Sequence, residues 1–441
     1  FWLKPFWLER AAGSFAGRTR ARPAPPAAML RALVGSGLAG LFLLLPAETA
    51  EPTCLAGQAC GPPGAGASPA AAGVEPRYAE HLATLRELLA EEGVECLLVT
   101  QATVFSWLTG GRTYVPLIEE SGPSRLFVDQ ERAVVVTTAI EEHKMRTQEC
   151  PGFEVRAGAW AGLPGTVDAI VDELAAGRPV ETDTGRLADK LTEAMADMSE
   201  HDVAAYRALG RDFGEALEEA ARAVSVGDSE YKVAGITAQA FMSRGIDLVM
   251  IGVAHDERIA WDRHPLPRLK GDTALKKVAL IATCGRRQGL IVSGSRLVSF
   301  GPVPEELRTI HDACMGVDAE INLGTVPGRT AGELYDLLQK AYTDRGFPEQ
   351  MLQHHQGGEI GYRCRHWIAQ PGGSQVVKAG RVYAWNPTIA GRTIGTKSED
   401  TIYVPREGGI EVLTASPSWP MVEVRLPDGR AMLRPDILVR E

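Results

Sequence analysis

No Cys-x-x-Cys pair occurs in the 441 residues, although seven cysteines are present. Cys54 and Cys60 fall in a low-complexity stretch, while Cys96, Cys150, Cys284, Cys314 and Cys364 are scattered through the body of the chain. An odd set at such spacings argues against a disulfide framework or a thiolate metal cage, and buried, reduced thiols are expected. There is no basic run interleaved with aromatics. The net charge is −10, so nucleic acid or an anionic membrane surface would meet a repelling average face. No Gly-Lys-Ser/Thr follows Gly110-Gly111-Arg112, which excludes a phosphate loop there. The apolar stretch from Ala32 to Pro46 is too short and too broken by glycine for a membrane span.

Residues 1–77 read as a low-complexity or signal-like extension: Arg/Pro-rich, then apolar after Met29, then Ala/Gly/Pro-rich from Gly57 to Gly73. Such composition is expected to stay disordered. A cytoplasmic location is expected, with secretion only if Met29 to Ala50 is a genuine signal.

What remains has an ordinary globular balance, 45% hydrophobic and 23% charged. Over 78–198 the pattern alternates helix and strand. Leu82, Leu85, Leu88 and Leu89 carry helical spacing, and Cys96 to Thr100, Arg125 to Val128 and Arg132 to Thr137 read as strands. This predicts a small α/β domain. Residues 199–441 repeat themselves. Helices over Ala204 to Val224 and up to Arg244-Gly245 precede strands over Leu248 to Val253, Val278 to Thr283 and Leu290 to Phe300. Helices over Glu305 to Asn322 and up to Arg345-Gly346 precede strands over Leu352 to Glu359, Arg381 to Thr388 and Thr401 to Val404. Two helices and then strands, twice, predicts a duplicated α+β unit around a cleft.

Three segments can carry chemistry. His354-His355-Gln356-Gly357-Gly358-Glu359-Ile360-Gly361-Tyr362 is the densest. If it is a strand, only one of its adjacent histidines faces the cleft. His264 lies in an extended loop before Pro265, and an imidazole titrating near neutrality can move protons. Asn386-Pro387 ends a strand, and Lys397-Ser398-Glu399-Asp400 opens the next. His366, beside Arg365, reads as surface; Trp107, Trp261, Trp367 and Trp385 read as core or cleft wall.

In this order the segments resemble the creatinase/Xaa-Pro aminopeptidase (pita-bread) superfamily over about residues 78–415. The resemblance implies a C-terminal pita-bread domain behind a smaller creatinase-type domain. The peptidases of that family hold two divalent metals on two Asp, one His and two Glu. The matching positions here are Ala282, Ser293, Gly358, Asn386 and Glu399, so only Glu399 keeps a carboxylate. No metal or other cofactor is therefore expected, although His354, His355 and Glu399 offer an improvised zinc set. By analogy with creatinase, the expectation is a metal-independent hydrolase or lyase acting on a C–N bond of a small nitrogen-containing metabolite. His264 would be its general acid/base, with His354 or His355 donating to an oxyanion and Glu399 binding a cationic group. Arg296, Arg392, Asn386 and Tyr362 complete the expected substrate-binding set. The alternatives are a metallopeptidase with an altered site and a non-catalytic ligand-binding protein. The resemblance also implies a homodimer, with Phe105 to Arg112 bordering the partner's cleft.

Overall fold

Leu82, Leu85 and Leu89 recur on one buried face of the Pro76–Glu91 helix, which packs beside the helix Ala102–Thr109. The computed structural model describes residues 73–161 and 165–441; the extension expected over 1–77 lies outside them except at its end. Five strands follow in the spatial order Glu154–Gly158, Ala133–Thr138, Ser121–Val128, Cys96–Gln101, Val180–Thr182. The central three are antiparallel and each outer strand runs parallel to its neighbour. Thr166 caps the Val167–Ala175 helix, whose Ile170, Val171 and Leu174 bury against Leu98, Phe127 and Val134. Within the Phe105 to Arg112 segment, Phe105 to Thr109 are buried in this region's own core while Arg112 is exposed.

From Glu200 onward the chain makes the same construction twice. Ser199 and Asp202 form a capping box that starts the Glu200–Ala223 helix, and Ser229 caps the Glu230–Met242 helix. In the second half Glu305–Gly324 precedes Ala331–Asp344, which opens on a Thr330–Glu333 capping box. Gly227 and Gly328 stand at matching places before these caps, with φ of 90° and 93°, a backbone region costly for any residue with a Cβ. Each donates its N–H to a later carbonyl, Leu275 and Val377 respectively. The repeat is therefore reproduced in backbone hydrogen bonding as well as in element order.

The first half builds an antiparallel sheet of Asp247–His255, Val278–Arg287 and Leu290–Phe300, joined in parallel by Leu438–Arg440. The second half builds the order Trp367–Ile368, Gly357–Ile360, Arg381–Trp385, Asp400–Val404, Glu411–Val412, antiparallel throughout. The sheets meet where Ser295 N–H donates to the Glu399 carbonyl at 3.1 Å. Thr401 Oγ1 also donates to the Ser293 carbonyl and accepts from its N–H.

Two expected strands are cut short. Leu352 to Glu359 is not continuous: a 3-10 turn spans Pro348–Leu352, and the strand is only Gly357–Ile360. Gly357, at φ 106°, turns the chain away from a straight extended path. Arg381 to Thr388 breaks after Trp385 and resumes at Thr388–Ala390, because Pro387 has no N–H for the ladder. Trp107 and Trp385 are core, but Trp261 is exposed. The described cysteines are all free thiols. Among the described residues no helix is long and apolar enough to cross a membrane.

Candidate active site in the three-histidine cleft

The cut strand is what assembles the site. Because His354 and His355 lie in the bend before Gly357, their rings do not alternate. They stack at 4.7 Å with 20° between planes. The expectation that only one would face the cleft therefore fails, for lack of a strand to enforce alternation. His264 comes to the same place from the loop after the short Arg258–Trp261 helix. Its ring centroid lies 4.6 Å from that of His354 and 5.3 Å from that of His355. The Nε2 atoms of His264 and His354 are 3.1 Å apart.

Neighbouring side chains hold the three rings. Arg263 donates to Gln350 Oε1 at 2.9 Å and Gln353 Oε1 at 2.6 Å, pinning the His264 loop to the 3-10 turn. Gln356 donates from Nε2 to the His354 carbonyl at 2.5 Å, and its Oε1 accepts from the Tyr342 hydroxyl at 2.7 Å. The cluster lies on a cavity of about 460 Å³ whose walls include Tyr335, Met351 and Leu352.

Burial dominates the electrostatics. It holds His264 below its usual pKa, helped by the charges of Lys397 and Arg365. His355 is pushed down to about 3 by burial, then by Arg365, His264 and Lys397. His354, the most buried, lies far lower still, through burial and then Lys397. All three imidazoles are therefore neutral at physiological pH. Lys397 is buried, which lowers its pKa, while Glu399 pulls it back up. Burial raises Glu399 and Lys397 opposes that.

Alternation along the extended run Lys397 to Asp400 sorts its side chains. Ser398 and Asp400 turn to a buried network, where Arg434 donates to Asp318 and Asp400 and Ser398 donates to Asp318. Lys397 and Glu399 fall on the other side. Neither Lys397 nor Arg365, whose charges act on the histidines, was singled out from sequence for that role. The signal for Lys397 was its two-residue spacing from Glu399; for Arg365 there was none.

Several expected site residues lie elsewhere. Arg296 is spent in the buried network, donating to Asp400 at 3.0 Å and to the Thr414 carbonyl at 3.0 Å. Arg392 is exposed at a hairpin, its N–H held by Glu306. Tyr362 accepts from Arg77 at 2.7 Å and donates to Asp202 at 3.0 Å, in a junction with the first helix. Asn386 stays adjoining the site: its N–H donates to the Gln356 carbonyl and its carbonyl accepts from Lys397 at 3.4 Å. The His366 side chain is buried rather than surface, and its pKa falls to about 4.

The two-metal centre implied by the resemblance does not fit these residues. Ala282, Ser293 and Gly358 supply no ligand of the required kind, and a buried ammonium stands close to the one remaining carboxylate. A Cβ at Gly358 would lie 2.1 Å from the Trp367 carbonyl oxygen, so no ligand side chain can be built there without moving a strand.

The profile of metallopeptidase family M24 matches residues 204–406, and that of the creatinase/prolidase N-terminal domain matches residues 81–227. No curated protein matches the chain. Among solved structures, a dipeptidase from Pyrococcus horikoshii is similar at 19% identity and TM-score 0.62, covering 76% of this chain and 98% of its own. An Xaa-Pro dipeptidase from Bacillus anthracis is similar at 16% identity and TM-score 0.61, covering 82% and 100%. The N-terminal domain of a FACT complex subunit from Cicer arietinum is similar at 12% identity and TM-score 0.54, covering 78% and 95%. At these identities the structural likeness establishes the fold alone.

Proposed function

Since the chain belongs to the creatinase/aminopeptidase pita-bread superfamily, we propose that it is a hydrolase whose chemistry has moved from the two-metal centre to the three-histidine cleft. It would cleave a C–N bond in a small nitrogen-containing metabolite or amino-acid derivative. The observation that carries this reading is the convergence of His264, His354 and His355 on one cavity. Family membership adds the reaction class, since the similar structures include enzymes named as dipeptidases.

At its simplest the reaction needs no metal. His264, the exposed member, takes a proton from water as the water oxygen adds to the carbon, and returns it to the leaving nitrogen as the C–N bond breaks. A neutral His355 ring can donate to the oxygen on which negative charge develops. Lys397 and Arg365 make the surroundings positive, which favours an anionic group on the substrate. Tyr335, Met351 and Leu352 offer an apolar wall for the remainder. A second reading, peptidase-type hydrolysis with an altered metal site, is favoured by the all-nitrogen donor set of the same cluster.

The test is amine release from Xaa-Pro dipeptides, simple amides and amidino compounds, by wild type and His264→Ala, with and without chelator. Turnover that His264→Ala abolishes supports the hydrolase. Turnover unaffected by that change sinks the site assignment. A compound bound in the cleft with no turnover across the panel would leave the non-catalytic ligand-binding reading.

A further inference from the structure

We infer that His264, His354 and His355 form a binding site for one divalent transition-metal ion of the zinc class, different in composition and ligand positions from the family's two-ion centre. The inference rests on the site described above and deepens the second reading of its function.

Geometry is the first support. A ring nitrogen from each of the three residues lies within 4.8 Å of the others. The two Nε2 atoms of His264 and His354 stand 3.1 Å apart. Ligands on a tetrahedron with zinc–nitrogen bonds of about 2.0–2.1 Å sit about 3.3 Å from one another. Two of the rings thus already stand close to a ligand–ligand separation. A direct hydrogen bond between them requires one ring to donate and the other to accept; a shared ion lets both present a lone pair.

The second support is preorganisation. Arg263 holds one side of the cluster against Gln350 and Gln353, and Gln356 with Tyr342 holds the backbone of His354. Binding would therefore order little that is not ordered already. The third is the unmet demand of the rings themselves. The Nδ1 atom of His355 is buried and has no partner among the described residues, an expense that a bound ion can offset.

Donor chemistry selects the ion. Three neutral imidazoles suit zinc, cobalt or copper, whereas magnesium and calcium require oxygen ligands. The cavity gives solvent or substrate access to a fourth position. Lys397 and Arg365 oppose a bare dication and favour an anion in that position, so the ion and an anionic ligand should bind cooperatively.

The full chain, stripped with chelator and desalted, is titrated with Co²⁺ while its visible d–d absorption is read. A saturable 1:1 band of tetrahedral strength, displaced by Zn²⁺, is expected. His264→Ala and His355→Ala should each weaken Co²⁺ binding at least tenfold, while Cys364→Ser should leave it unchanged. His264 is exposed, so its alanine variant should retain the wild-type circular dichroism and stay interpretable if His355→Ala does not fold. The inference is overturned by the absence of a 1:1 band, by a band that survives both His variants, or by one lost in Cys364→Ser. Turnover of the amide panel is measured on the same stripped protein. Turnover without Co²⁺ binding overturns the ion site and leaves the hydrolase standing, whereas 1:1 binding without turnover before or after loading does the reverse.

Discussion

The Nε2 atoms of His264 and His354 lie 3.1 Å apart although 90 residues separate them in the chain. One sits in a loop of the first half and the other in a bend of the second, and each is placed by a different set of hydrogen bonds.

His264 is exposed and His354 is buried, so function and stability should separate at the first. His264→Ala is expected to lower kcat/KM by about 10²–10⁴, the usual range for a lost general acid/base. Its unfolding free energy should stay within about 0.5 kcal/mol of wild type. Kinetics and denaturant melts on one preparation check both. A drop in stability of several kcal/mol would mean that the residue holds the fold.

Arg263 touches the cavity but acts through its neighbours, and is a positioning residue. Its replacement by Ala frees the His264 loop from Gln350 and Gln353. A displacement of about 1 Å can cost up to about 100-fold in rate, so kcat should fall by about ten- to 100-fold with KM changed far less. Arg263→Lys should rescue poorly, because an ammonium cannot reproduce the planar fork. Full rescue by Lys would show that charge alone matters.

Asp202 joins three parts of the chain. It accepts from Arg77 at 2.8 Å and Tyr362 at 3.0 Å, and pairs with His81 at 2.8 Å. Burial would raise its pKa, but the His81 hydrogen bond and the charges of His81 and Arg77 outweigh it and hold the carboxyl far below its ordinary 3.8. A depressed folded pKa means stability that is complete above the unfolded value and lost as pH falls toward the folded one. Asp202→Asn should therefore cost about 3–5 kcal/mol at neutral pH. The gap from wild type should narrow as pH drops below 3.8. Urea melts at stepped pH test the sign: a gap that widens on acidification would contradict it.

Gly358 pairs with both Ile368 and Ala384. Since an added Cβ would meet the Trp367 carbonyl at 2.1 Å, Gly358→Ala should destabilise by at least about 1–3 kcal/mol, the usual cost of overpacking. By the same clash, Gly358→His should unfold the sheet before it restores a family ligand. A Gly358→Ala variant that melts like wild type would show that this strand can shift, reopening the two-ion centre.

Much of the architecture is legible from local signals. Capping residues at Ser199 and Thr330, glycines at 227 and 328, and apolar spacing through Leu82, Leu85 and Leu89 each act within a few residues. Their meaning survives without knowledge of the partner segment. The resemblance to the family also implied emptied metal positions, since it sets Ala282 and Ser293 where the peptidases carry their two Asp ligands.

The site was only half legible. His264, His354 and His355 could be named from residue chemistry and order, but Arg296 and Tyr362 carried the same polar credentials. They turned out to be committed to Asp400 and to Arg77 with Asp202. Which polar side chain reaches a cleft and which is consumed by a buried charge is decided by distant partners.

By itself the sequence determined the duplicated fold and the overall negative charge, since the first follows from local propensity and the second from composition. Only the tertiary structure decided that His354 and His355 face the same way, that His264 meets them, and that Lys397 is buried on the same side of its strand as Glu399. Those outcomes depend on the chain breaking its strand at Gly357 and on contacts between halves about 100 residues apart. No short-range pattern encodes a distance between two segments that meet only when the sheets close.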